Sequence, residues 1–191
     1  MDSAVSFKLP KGFQRNKSDT TNNFSASTTF GTILVFKATD NPVVTPDIER
    51  DTHLENYYND YRDRVHSSTS DGKIVNEKDT VLGDLKVKDF TLEIDTGDGV
   101  QLRKFRLLHA NNATYAFEFL FQELHREYAD EECNKFFNSI QVNENMVRSD
   151  QFTDQSVEDE STLNPYLITG GILVLIGLIV FLIIRKRRIV S

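Results

Sequence analysis

The sequence predicts an α+β protein: an antiparallel β-sheet packed with helices, plus one C-terminal transmembrane helix. Three observations predict it. Short alternating stretches come in runs while two helical patterns stand apart from them, the order expected of an antiparallel sheet with helices laid on it. Two compact turns, Asp95-Thr96-Gly97-Asp98-Gly99 and His109-Ala110-Asn111-Asn112-Ala113, join neighbouring extended stretches as hairpins. Near the C-terminus, residues 166–184 (opened by Tyr166 and closed by Ile184) carry no charge and are followed at once by Arg185, Lys186, Arg187 and Arg188.

The elements follow in order. Residues 5–9 alternate apolar and polar side chains until Pro10 and Gly12 stop them. Residues 15–23 are polar throughout and read as a loop, residues 24–30 suit a strand, and Gly31 turns the chain into a more buried strand over 32–38. Leu54, Tyr57, Tyr58, Tyr61 and Val65 then fall on one face of a helix, with Asp51 or Thr52 as candidate caps. Four extended stretches follow at 73–79, 84–94, 100–110 and 114–124. In the second, Leu85 and Val87 have the opposite parity to Phe90, Leu92 and Ile94, and a bulge near Lys88 and Asp89 would reconcile them. In the fourth, Tyr115, Phe117, Phe119 and Phe121 share one face, expected to meet the helices. A second helix over 128–139 carries the stripe Ala129, Cys133, Phe136, Phe137 and Ile140, with 141–142 as a last short extended piece.

This organisation divides the chain into a soluble α+β domain over 1–142, an acidic flexible linker over 143–164, a transmembrane helix over 165–185 and a short basic tail over 186–191. At about 1.5 Å per residue the apolar run covers roughly 28 Å, the thickness of a hydrocarbon core, and only a helix satisfies its backbone in lipid. The bilayer is thus an expected partner through residues 166–184. The chain carries −7 overall and, since no acid lies beyond residue 164 and four cations do, the part before the membrane segment carries −11. Such a domain repels polyanions, so neither nucleic acid nor an anionic membrane surface is an expected partner. The cluster Arg185, Lys186, Arg187 and Arg188 belongs on the cytoplasmic side and places the domain outside. No signal peptide is visible in residues 1–6. The alternative is a tail-anchored protein with its domain in the cytosol.

From Gly72 onward the residues carry a resemblance. Gly83, a short spacer and Phe90-Thr91-Leu92-Glu93 form one phrase. A basic strand, a small turn and an aromatic strand form the next, in VQLRKFRLLHANNATYAFEF. The closing phrase is a helix with paired aromatics followed by a strand, Phe136-Phe137-Asn138-Ser139-Ile140, and an opening phrase lies between Phe7 and Phe13. In these features residues 5–142 resemble the PsbP-like superfamily. The resemblance implies an antiparallel sheet sandwiched by helices and implies no reaction and no catalytic residue, because fold alone does not license function.

The residues themselves point the same way. His53, His66, His109 and His125 form no H-x-H or HExxH spacing. Glu131 and Glu132 share a helical turn and read as solvated. Asp95 to Gly99 is too short for a calcium loop and lacks its distal Glu. Cys133, the single cysteine, excludes an intrachain disulfide and sits in an apolar stripe, which marks a packed thiol. Sequons at Asn16, Asn23 and Asn112 decide nothing about compartment. No catalytic residue, cofactor or metal is therefore expected. The expected function is that of a single-pass membrane-anchored accessory or interaction domain with a protein partner. The alternative is a carrier of a small apolar ligand in a pocket between sheet and helix, lined by Tyr57, Tyr61, Phe117 and Phe119.

Overall fold

The computed structural model describes residues 4–153. Its centre is a seven-stranded, wholly antiparallel sheet. In chain order the strands are β1 (Val5–Ser6), β2 (Gln14–Lys17), β3 (Thr21–Ser27), β4 (Gly31–Thr39), β5 (Gly72–Leu82), β6 (Leu85–Asp95), β7 (Val100–His109), β8 (Ala113–Gln122) and β9 (Gln141–Val142). The helices are α1 (Asp51–Ser67) and α2 (Arg126–Asn138), with 3-10 turns at Glu123–His125 and Arg148–Gln151. The main sheet runs β2-β3-β4-β8-β7-β6-β5, and β1 pairs separately with β9.

β8 lies in the middle of the sheet, and its sequence ATYAFEFLFQ is buried at every position but the last. A strand covered on both faces has no solvent side to alternate with. The expected idea that its aromatic face meets both helices is corrected here, because the helices lie on opposite faces. α2 sets Ala129, Cys133 and Phe136 against Ile33, Val35, Phe117 and Phe119. α1 sets Leu54, Tyr58 and Val65 against Phe90, Leu92, Phe105, Leu107 and Ala116. Odd-numbered residues of β8 serve the first layer and even-numbered ones the second, as the two-residue period of a strand requires.

The parity change in β6 has the same origin. Leu85 and Val87 belong to the α2 layer, while Phe90 and Leu92 belong to the α1 layer, so the strand stays regular and both sets are buried. The bulge is in β5 instead, where Asn76 and Glu77 stand opposite Phe90 alone and Asn76 takes φ 54°. An Asn tolerates that left-handed conformation better than most residues. The bulge turns Glu77 toward Lys88 (2.9 Å) and Arg62 (2.6 Å).

The turns behave as expected. Asn111 and Asn112 both have φ 51° between the mutually bonded Ala110 and Ala113, a type I′ hairpin. In the other turn Thr96 N donates to Gly99 O at 2.9 Å and Gly97 N to Asp95 Oδ1 at 2.8 Å. Gly31 is required by space: a Cβ there would lie 2.5 Å from the Phe119 ring and 2.6 Å from the Leu120 carbonyl.

Four expectations shift. Of residues 15–23, expected as loop, 15–17 join Gln14 in edge strand β2, although all four are exposed, and 21–23 open β3. α1 begins without a side-chain cap at Arg50, and Asp51 lies inside the first turn, where its carboxylate bonds Lys86 and Arg148. α2 starts two residues earlier than its pattern indicated, at Arg126. The folded unit also continues past residue 142. Asn143 N donates to Ala4 O at 2.9 Å, Met146 is buried, and Gln151 is 0 % exposed, so residues 143–153 form a strap on the domain. Among the described residues no helix is long and apolar enough to cross a membrane. The expected span at 166–184, the basic residues 185–188 and the remainder of the linker from 154 lie outside the described residues.

Candidate functional site

The densest buried chemistry lies where the strap crosses the end of the sheet. β6 and β7 pair in register as far as Lys88 and Leu107, and continuing that register would put Lys86 opposite His109. The Gln151 side chain occupies that position. Its Oε1 accepts from Lys86 N at 2.7 Å, while its Nε2 donates to Lys86 O and to His109 O, both at 2.9 Å. A primary amide has the donor and acceptor of a peptide group, so it completes the ladder where the two strands part. Tyr58 seals the inner side: its hydroxyl accepts from His109 N at 2.8 Å and donates to Lys86 O at 3.1 Å.

The imidazole of His109, 0 % exposed, closes the arrangement. Nδ1 lies 2.9 Å from Gln151 O and Nε2 lies 2.8 Å from Asp40 Oδ2. A carbonyl only accepts, so Nδ1 is the hydrogen-bearing nitrogen on that side. The Tyr57 ring stands edge-on to the imidazole at 5.7 Å. At the rim, Asp51 accepts from Lys86 at 2.6 Å and also pairs with Arg148, and the Lys86 hydrogen bond leads in holding its carboxyl below the usual carboxylate range. Tyr58 titrates far above an ordinary phenol because burial penalises its charged form. This arrangement clasps residues 148–151 to the sheet.

A second feature lies on the α2 face. A groove of about 650 Å³ runs between residues 8–10, the β3–β4 turn and α2, floored by Leu9, Pro10, Ile33 and Phe136, with Lys8 and Lys135 at its rim. Glu132 pins the turn to the helix by accepting from Thr29 N and Phe30 N, both at 3.1 Å. Burial raises the Glu132 carboxyl, but the hydrogen bonds from Thr28, Phe30 and Thr29 outweigh it and the net shift is downward.

The four residues expected to line one pocket are separated by the sheet. Phe117 and Phe119 are fully buried in the α2 layer, where Phe117 meets Phe7 edge-on at 5.7 Å. Tyr57 and Tyr61 pack against the α1 layer, with Tyr57 Oη 2.7 Å from Thr114 Oγ1 and the Tyr61 phenol raised by burial. Of the other residues singled out by sequence, His53 contacts Arg50, His66 contacts Gly72 O, and His125 packs on Phe30. Cys133 is buried, which pushes its thiol up to about 11. Among the described residues no three His, Cys, Asp or Glu side chains gather as a metal site. Sequence reasoning missed Gln151 and Asp40, and no periodic pattern marks either of them.

No family model matches the chain, and no curated protein matches it. Solved structures do. The solution structure of cyanobacterial PsbP (CyanoP) from Synechocystis sp. PCC 6803 is similar over 75 % of this chain and 95 % of that one, at 11 % identity and a TM-score of 0.53. The fold is PsbP-like. LpqN of Mycobacterium tuberculosis, described as involved in cell envelope biogenesis, is similar over 74 % of this chain and 86 % of its own, at 9 % identity and a TM-score of 0.45. A protein of unknown function from Pseudomonas aeruginosa is similar over 69 % and 94 %, at 10 % identity and a TM-score of 0.43. In this fold the strap forms its clasp at one end of the sheet, beside the last described residues.

Proposed function

We propose that this chain is a single-pass membrane-anchored accessory domain that acts by binding a protein partner rather than by catalysis. The observation that carries the reading is the clasp. Residues 148–151 are held by Gln151, His109 and Tyr58, and the polypeptide then continues through an acidic stretch into the uncharged run 166–184 and the cluster 185–188. The strap is thereby fixed to the domain up to the last described residues. The contacts of His109 are consistent with this role, since Nδ1 is engaged by the strap at Gln151 O and Nε2 by Asp40 at the end of β4.

The test is fractionation of the full chain. It is expected in the membrane pellet, released by detergent and retained through high salt, while a chain ending at residue 164 is expected in the supernatant. Full-length protein in the supernatant without detergent removes the proposal. Protease digestion of sealed vesicles then separates an extracytoplasmic domain from a tail-anchored cytosolic one. A second reading rests on the groove beside α2: an apolar ligand could lie over Leu9, Pro10, Ile33 and Phe136, displaced from the pocket expected by sequence. Native mass spectrometry of protein purified from its own membrane distinguishes the two, since a carrier retains a bound mass and an accessory domain does not.

A further inference from the structure

We infer that the β2–β3–β4 corner of the sheet is a docking surface for the anionic phospholipid headgroups of the membrane that holds the anchor. This rests on the membrane-anchored reading above. Register places the cations. Lys17 pairs with Asn22 and Asn22 with Lys37, so the three lie in one row across three strands and on one face. At about 5 Å per strand, Lys17 and Lys37 stand roughly 10 Å apart. Arg15 lies two residues before Lys17 on that face, its guanidinium 5.3 Å over the Phe24 ring and its Nε 2.9 Å from Asn22 Oδ1. Together they border a depression of about 260 Å³ with the hydroxyls of Ser18, Thr20 and Thr39 and one carboxylate, Asp19.

The position of this corner identifies the occupant. Thr39 N donates to Thr20 O, Asp40 N to Asn112 O and Asn111 N to Asp150 O. The start of β3, the end of β4, the β7–β8 turn and the strap therefore share one end of the sheet. Thr153 N donates to Ile48 O at 2.9 Å three residues after Asp150, so the described chain ends at this end of the sheet, on its α1 face. Residues 154–165 can span at most about 40 Å before the apolar run begins, so this end of the sheet lies within that reach of the bilayer. Charged residues on β2 would also discourage strand addition at an exposed edge. Lys37 sits on the interior strand β4 in line with them, its Nζ 5.5 Å from the centroid of the Tyr115 ring. Each Lys or Arg near an anionic surface favours the bound state only about fivefold. For a free domain of net negative charge that is too little, but an attached one meets the surface at high effective concentration and presents this cationic row locally.

The chain contains no tryptophan, and Phe13, just before β2, is 49 % exposed, so Phe13→Trp gives a single reporter. Full-length F13W protein is reconstituted into vesicles of phosphatidylcholine, alone or mixed with phosphatidylglycerol, and its quenching by acrylamide is measured. Shielding is expected in the mixed vesicles only, reversed by salt, with the docked population falling about fivefold for each of Lys17→Gln and Arg15→Gln. Equal quenching in both vesicle types overturns the inference while co-sedimentation leaves the anchor standing. Shielding that is equally strong in phosphatidylcholine alone also overturns it, since the occupant would then be the chain's own acidic stretch. Protein that sediments with neither vesicle removes the anchor itself.

Discussion

The two faces of the sheet are built differently. The α2 face is a continuous apolar and aromatic layer in which Phe7, Phe117 and Phe136 meet with ring centroids 5.7–6.5 Å apart. The α1 face has a smaller apolar cluster interlaced with buried polar groups: Arg103 on Glu118 at 2.5 Å, Lys88 on Glu77 and Asp79, and His109 on Asp40. Apolar packing is non-directional and tolerates adjustment, whereas buried polar groups require specific partners. One face therefore supplies most of the cohesion, and the other fixes which segments attach and where.

The comparison can be broken at four points. The largest effect is expected on the α2 face, where Phe117→Ala removes a fully buried ring and should cost about 3–5 kcal/mol, read from urea denaturation. On the α1 face Glu118→Ala leaves Arg103 buried without its carboxylate and should cost about 3 kcal/mol. The double variant Arg103→Met/Glu118→Leu should recover most of that, because the loss comes from the orphaned charge. A double variant as weak as the single one would show that the pair itself supplies cohesion. Gln151→Ala strips partners from Lys86 and His109 and should cost about 2 kcal/mol. Its distinguishing signature is early proteolysis within 143–153 while the sheet stays protected from hydrogen exchange.

The smallest effect is expected from pH. Burial is the leading cause that raises Cys133, Tyr57, Tyr58 and Tyr61. The unfolded chain therefore releases these protons first. The thiol's contribution is whole below its usual value of 9.0 and is lost as pH climbs through about 11, with the phenols adding in the same direction above 10.0. The urea midpoint should fall across that window, and Cys133→Ala should flatten its lower part. A midpoint that rises with alkali would contradict the burial of these groups. Toward acid, Glu77 behaves oppositely. Burial raises it, but hydrogen bonds from Lys88 and Arg62 outweigh this, so its net shift is downward and its contribution fades as pH falls.

What the sequence could reveal follows from the same contrast. The β5–β8 meander was legible because its turns are encoded locally, by Asn111 and Asn112 in one hairpin and by Asp95, Gly97 and Gly99 in another. The two-faced pattern of β8 was legible as well. Which helix covers which face was not, since alternation marks two sides without assigning their partners, and a pocket of Tyr57, Tyr61, Phe117 and Phe119 was expected from side chains that the sheet keeps apart. β2 escaped notice because Gln14, Arg15, Asn16 and Lys17 bury nothing, and their pairing is decided by the backbone edge of β3. Gln151 escaped because a single amide in a polar run has no period, although it fills a gap between two strands sixty-odd residues upstream and forty-odd upstream.

The pairing of β1 with β9 joins Val5 to Val142 and Ser6 to Gln141. A contact of that span closes a loop of almost the whole domain, and such closures come late because their entropy is charged before any reward arrives. During synthesis the opening strand must wait for its mate while nearly everything between them is made. The strap continues from that seam, with Asn143 N donating to Ala4 O at 2.9 Å, and its far end closes on Lys86 and His109, so one late-made stretch ties the first strand to the middle of the domain.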